Sequence, residues 1–329
     1  MSTNPVGESS GSSGLDFALR FRRPCSKAEI TSVGVSPSSS AAFAIYTAAQ
    51  TAQSWIDVFD LATQRGHSKT SGSHAVFAPH GTRLATVRDW TVQLAGGVEY
   101  HHASTVLLRD GATGKTLGEL READGAPVAW SRDGRVLAVA EGKHQHRMGV
   151  WDVRSATRAG RVVGHIAAVT HAAFMPDHSL VTASRDGTLR ITDPATARTL
   201  RRLEMDASGS TSANPRALAV SPDGRRIVSV WGTTVHVWLP HTNDLTSYAL
   251  NSVRRTEGWP LCISPDCRYM ACRTEDGFDV MDVASGAVVF TADEDVLITS
   301  GAFAADGKTL VLGTMDGTVE VWGVVEKKA

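Results

Sequence analysis

The chain has 329 residues, 42% of them hydrophobic and 20% charged, with a formal net charge of -1. This is the composition of a globular protein with a sizeable core, and its balanced charge gives no general pull toward nucleic acid or anionic lipid. No run reaches the roughly 18 apolar residues of a membrane span, and the opening MSTNPVGESSGSSG lacks the basic and apolar regions of a secretory signal. The expectation is a cytoplasmic protein with neither a membrane nor a nucleic acid as partner.

Residues 1–14 are rich in Ser and Gly with almost no large apolar side chain, so they are expected to form a disordered tail. Leu15 to Phe21 then alternates at period two, which marks a strand with no hairpin partner beside it. From there a turn-like tetrapeptide recurs: Ser36-Pro37-Ser38-Ser39, Ala78-Pro79-His80-Gly81, Ser131-Arg132-Asp133-Gly134, Met175-Pro176-Asp177-His178, Ser221-Pro222-Asp223-Gly224, Ser264-Pro265-Asp266-Cys267 and Ala304-Ala305-Asp306-Gly307. In the fullest copy Pro presets φ, Asp can hydrogen-bond its own backbone, and Gly takes the last position. Each turn lies between two short apolar strands, and a third strand ends in Phe59-Asp60, Arg109-Asp110, Trp151-Asp152, Thr192-Asp193, Trp238-Leu239, Met281-Asp282 or Trp322-Gly323. A repeat of about 40 to 45 residues without a helical pattern predicts an all-β ring of four-stranded sheets, because one such sheet leaves both apolar faces uncovered.

With Ser-Pro-Asp-Gly between the first two strands and Trp-Asp closing the third, the sequence resembles the WD-repeat family of β-propellers over about residues 15–329. The resemblance implies one domain, a seven-bladed β-propeller of four-stranded antiparallel blades. Only Trp151-Asp152 is the full dipeptide, so the repeats are degenerate. Gly66-His67 and Gly164-His165 stand where the family carries Gly-His. The family's structural network would here join His165 to Thr182 or Ser184 and to Asp186, with Thr192 in place of the Trp. The last copy is one strand short, and residues 15–22 are expected to supply it and close the ring.

Candidate chemistry is sparse. Cys25, Cys262, Cys267 and Cys272 do not have the spacing of zinc knuckles and are expected to be free thiols, although Cys262 and Cys272 could meet across one hairpin. His101, His102, His144 and His146 lie in neighbouring links and could suit a metal, but ordinary polar loop residues are the expectation, with no cofactor and no metal. There is no Gly-x-Ser-x-Gly elbow and no Gly-rich phosphate loop. Asp133, Asp177, Asp223, Asp266 and Asp306 repeat at one position and are explained by the turn.

Binding is better motivated, because rigid scaffolds carry function on their loops. By the family's topology, the links between second and third strands and between successive copies share one face. That face is expected to hold the partner-binding residues Trp90, Tyr100, His101, Arg147, Arg185, Trp231, Arg254, Arg255, Trp259 and Arg273, of types that dominate hot spots. Packing between sheets competes as the role of Trp90, Trp231 and Trp259. The expected function is a non-enzymatic, monomeric scaffold that binds a peptide or a partner domain. An enzyme or small-molecule sensor at the central channel is one alternative, disfavoured by apolar inner strands; a sensory or regulatory subunit of a signalling complex is another.

Overall fold

The computed structural model describes residues 16–48, 53–81, 83–88, 92–94, 97–99, 105–121, 123, 125–141, 146–205, 214–250, 259–293 and 296–325. Among them are seven four-stranded antiparallel sheets and one small hairpin, Val92–Leu94 with Gly97–Glu99. The innermost strands of blades 1 to 7 are Ile30–Val35, Ala75–Phe77, Gly125–Trp130, Val169–Phe174, Pro215–Val220, Trp259–Ile263 and Ile298–Phe303. Each neighbours the next and the last neighbours the first, so the sheets form a closed seven-bladed propeller.

The turn between first and second strands is the same device in every blade. Its fourth residue is left-handed at Ser39, Gly81, Gly134, His178, Gly224, Cys267 and Gly307, with φ between 53° and 71°. In blade 5 the Gly224 N–H donates to Ser221 C=O at 2.9 Å, and the Ser221 hydroxyl donates to Asp223 at 2.6 Å. Glycine adopts this conformation freely; Ser39, His178 and Cys267 hold it against the clash of Cβ with the following carbonyl.

In five blades the aspartate that ends the third strand builds the second hairpin of the blade. Asp152 accepts the N–H groups of Arg154 and Ser155 at 3.0 and 2.8 Å, and Asp60, Asp110, Asp193 and Asp282 do the same work in their blades. Both kinds of hairpin therefore lie on one face, here the turn face. Links between second and third strands, and between blades, emerge on the other, the link face.

The core lies between blades. Leu108 and Val106 of blade 2 pack with Trp130, Leu137 and Trp151 of blade 3. At the closure, Asp16–Pro24 pairs antiparallel with Thr318–Val325, from Asp16 opposite Val325 to Pro24 opposite Thr318. It becomes the outermost strand of blade 7, running two residues beyond the expected end at Arg22. Phe17 is 5% exposed and meets Phe290 of blade 6 at a centroid distance of 5.4 Å. The Arg22 Nε also donates to the buried Glu320 at 2.8 Å. The expected tail, residues 1–14, lies outside the described residues, as does Leu15.

Candidate interaction face

The central channel offers little chemistry. The seven innermost strands hold no carboxylate, and their partly buried side chains include Val76, Ala172, Leu218, Ala219, Leu261 and Phe303. Some of the polar ones are engaged: Thr299 donates to the carbonyls of Ile30 and Gly313, and the His171 imidazole lies 3.0 Å from the Thr170 hydroxyl. Burial pushes His171 down to about 4, against a hydrogen bond with the Arg216 backbone that pulls the other way. On the turn face Arg132 of blade 3 reaches past blade 4, donating to the carbonyls of Ser221 and Pro222 in blade 5. The innermost strands themselves therefore offer no pair of carboxylates for acid–base work.

The four cysteines are free. Pro260, not Cys262, stands opposite Cys272, because the strand register shifts between Pro260 and Cys262. Burial raises the Cys25 thiol to about 11 and those of Cys267 and Cys272 to about 12. None is a thiolate near neutral pH, so none is primed as a nucleophile.

The network expected in blade 4 is present. His165 Nδ1 lies 2.9 Å from the Asp186 carboxylate, and its Nε2 lies 2.8 Å from the Thr182 hydroxyl. Thr188 donates to Asp186 at 2.6 Å, and the Ile166 N–H donates to it at 3.1 Å. Burial pushes the Asp186 carboxyl up, but the hydrogen bonds and charge of His165, with Thr188, hold it below the usual carboxylate range. Ser184, the other hydroxyl considered, donates to the Ala167 carbonyl instead. Thr192, standing in for the Trp, has a buried hydroxyl with no hydrogen-bond partner. These contacts stiffen the link from Gly164 to Val169 and leave Ile166 88% exposed at its tip.

On the link face the sequence-predicted residues divide. Trp259 begins the innermost strand of blade 6 and is 41% exposed. The guanidinium of Arg216, at the start of the innermost strand of blade 5, lies 3.5 Å from the Trp259 ring centroid, and that of Arg273 lies 5.5 Å away. Arg273 is there because it pairs with Trp259 across the hairpin. Arg185 is exposed on the blade 4 link between second and third strands, and Arg147 is exposed at the start of the third strand of blade 3. These two sit on other blades than the Trp259 cluster.

Trp231 is corrected. It ends the second strand of blade 5, is 3% exposed, and packs among Val181, Ala183, Leu189, Ile191 and Trp238 between blades 4 and 5. A side chain so enclosed fills the core and cannot anchor a partner. Trp90, Tyr100, His101, Arg254 and Arg255 lie outside the described residues, as do His102 and His144. Among the described residues no group of three or more His, Cys, Asp or Glu converges as a metal site, and no helix is long and apolar enough to cross a membrane.

Sequence reasoning missed Arg216, Ile166 and the 51%-exposed Met315. Arg216 carried one signal, an Arg in an otherwise apolar innermost strand.

Comparison with known proteins agrees with this geometry. The WD domain, G-beta repeat family matches residues 157–193 and 284–323, which cover parts of blades 3 and 4 and of blades 6 and 7. Periodic tryptophan protein 2 of Arabidopsis thaliana is 29% identical over 208 residues, 60% of this chain and 22% of that protein. Small ribosomal subunit protein RACK1y of Oryza sativa subsp. japonica is 29% identical over 178 residues, 49% of each chain. Telomerase protein component 1 of Rattus norvegicus is 26% identical over 267 residues, 75% of this chain and 9% of that protein. The chain spans at most about half the length of these relatives.

Proposed function

Because the chain is a WD-repeat β-propeller with degenerate repeats, we propose that it is a non-enzymatic scaffold that holds a segment or domain of a partner protein on its link face. The observation that carries the proposal is Trp259, 41% exposed between Arg216 and Arg273. A large apolar ring held in place by guanidinium groups combines contact area with directed donors and loses little freedom when it is covered.

Exposed Ile166 and Met315 add apolar contacts on the same face, and Arg185 adds a further donor. Arg254 and Arg255, shortly before Trp259 in the chain, belong to the proposed contact set, and so do Trp90, Tyr100 and His101 by their place in a link. The names of two relatives refer to multi-component assemblies, the small ribosomal subunit and telomerase, which fits a role as one part of a larger complex. The proposed working form is a monomeric ring in the cytoplasm. No step of covalent chemistry is part of the proposal.

The test is capture from native lysate by three proteins: wild type, Trp259→Ala with Arg273→Ala, and a turn-face control, Arg225→Ala with Arg135→Ala. The proposal expects specific partners to be retained by wild type and control and lost from the first variant, with thermal unfolding showing all three folded. Partners lost equally from both variants, or retained by both, would place the site elsewhere.

A further inference from the structure

The link-face end of blade 3 carries a hollow of about 580 Å³, away from the Trp259 cluster on blades 5 and 6. Its lining comes from Glu141 at the end of the second strand, His146 and Arg147 at the start of the third, and Arg158, Arg161 and Val163 along and just after the fourth. A peptide segment of three or four residues occupies a volume of this order.

Among the described lining residues the charges are lopsided, and their one carboxylate is already used. Glu141 is 6% exposed; its Oε1 accepts Trp151 Nε1 at 2.6 Å, and its Oε2 accepts Arg158 at 2.7 Å. Its carboxyl fills the space that a Cβ on Gly149 would enter. Arg158 is fixed by that pair and lies 4.9 Å from the Trp151 ring, yet its side chain stays 42% exposed with donors to spare. Arg147 and Arg161 are exposed and have no ion pair among the described residues. Three guanidinium groups therefore face solvent around the hollow, with Val163 37% exposed at its rim, while the buried Met148 and Val162 side chains point to the other face of the sheet against blade 4.

We infer that this hollow is a docking site for an acidic peptide segment of a partner protein, with carboxylates meeting Arg147, Arg158 and Arg161 and an apolar side chain against Val163. Charge complementarity selects the carboxylates, because planar bidentate pairing suits Arg and the held Arg158 needs little ordering. The apolar rim and the chain's overall charge of -1 favour a peptide over a polynucleotide, which would need a longer basic track. The inference rests on reading the link face as an interaction surface and adds the chemistry of one segment it takes.

The experiment is fluorescence anisotropy of the full chain with the fluorescein-labelled peptide Gly-Glu-Glu-Leu-Asp-Glu-Gly. Expected are binding by wild type, weakening of about tenfold or more in R147E/R161E, and less than about twofold change in R198E/R201E on the outer strand of blade 4. Replacing the peptide's Leu by Ser weakens binding several-fold. No binding by wild type, equal weakening in both variants, or equally tight binding of a single-stranded oligonucleotide of the same charge overturns the inference. Thermal unfolding confirms that both variants fold. Loss of this result beside intact Trp259-dependent capture from lysate removes the hollow and leaves the scaffold reading standing.

Discussion

His178 sits where four of the other blades place glycine, at φ 66° and exposed to solvent on the turn face. A side chain there strains the backbone, so His178→Gly is expected to stabilise the protein by about 0.5–1 kcal/mol, the relief of strain exceeding the added freedom of the unfolded chain. Urea unfolding checks it, and a loss of stability would deny the strain. Cys267 has the same backbone at φ 59° but is fully buried, so its glycine variant also loses packing and is the poorer test. His171 supplies a pH signature. Burial holds its folded pKa near 4 against an ordinary value of about 6.5. As pH falls from 6.5 toward 4, the unfolded chain binds a proton that the folded chain refuses, and stability declines. His171→Gln should show a flatter stability profile across that window than wild type; identical slopes would mean that His171 is solvated.

At this scale the sequence was partly legible. The repeated turn aspartates and the His165 network could be assigned because each acts on residues at a fixed offset. Trp231 could not be placed, since a strand-end tryptophan next to a link reads alike whether its ring points outward or between sheets. Only the neighbouring blade, which contributes Val181 and Ile191, decides.

At the scale of elements, the tryptophans near third-strand ends are held in different ways. Trp151 donates to Glu141 of the second strand, and Trp322 donates to Glu320 two residues before it at 3.0 Å. Each of these glutamates also binds an outer-strand arginine, Arg158 or Arg22. The indole nitrogen of Trp238 is buried without a hydrogen-bond partner. Glu141→Leu is therefore expected to cost about 2–3 kcal/mol, because it strands a buried donor and removes a charged acceptor. Trp238→Phe should cost less than Trp151→Phe by about 1–2 kcal/mol, since no hydrogen bond is lost there. Equal costs in chemical denaturation would show that packing alone holds these rings. This element-level difference was hidden in the sequence, because the two acceptors come from different strands at different offsets.

The closing strand belongs to the same scale. Removing residues 1–24 deletes the whole outer strand of blade 7, exposing Trp322 and Val324 and leaving Glu320 without Arg22. The expected outcome is a large fall in melting temperature or loss of soluble protein, while removal of residues 1–15 alone leaves the transition nearly unchanged. Similar melting of both truncations would contradict closure by this strand.

For the whole molecule, the ring was legible because a period of about 40 to 45 residues and a missing last strand are properties of chain order alone. The interaction face was less so. Which links share a face follows from antiparallel order, but Arg216 meets Trp259 only through the curvature that brings blades 5 and 6 together. The hollow on blade 3 likewise arises from packing, with Gly149 leaving room for the Glu141 carboxyl.

The central claim is that the link face is where a partner is held. Hydrogen exchange of the protein with and without a captured partner tests it most directly, since backbone amides on both faces report at once. The account predicts new protection in the link segments 162–168, 184–188, 273–277 and 314–318, with the turn segments 131–135, 175–179, 221–225 and 264–268 unchanged. Protection confined to the turn segments, with the links exchanging as in the free protein, would contradict it.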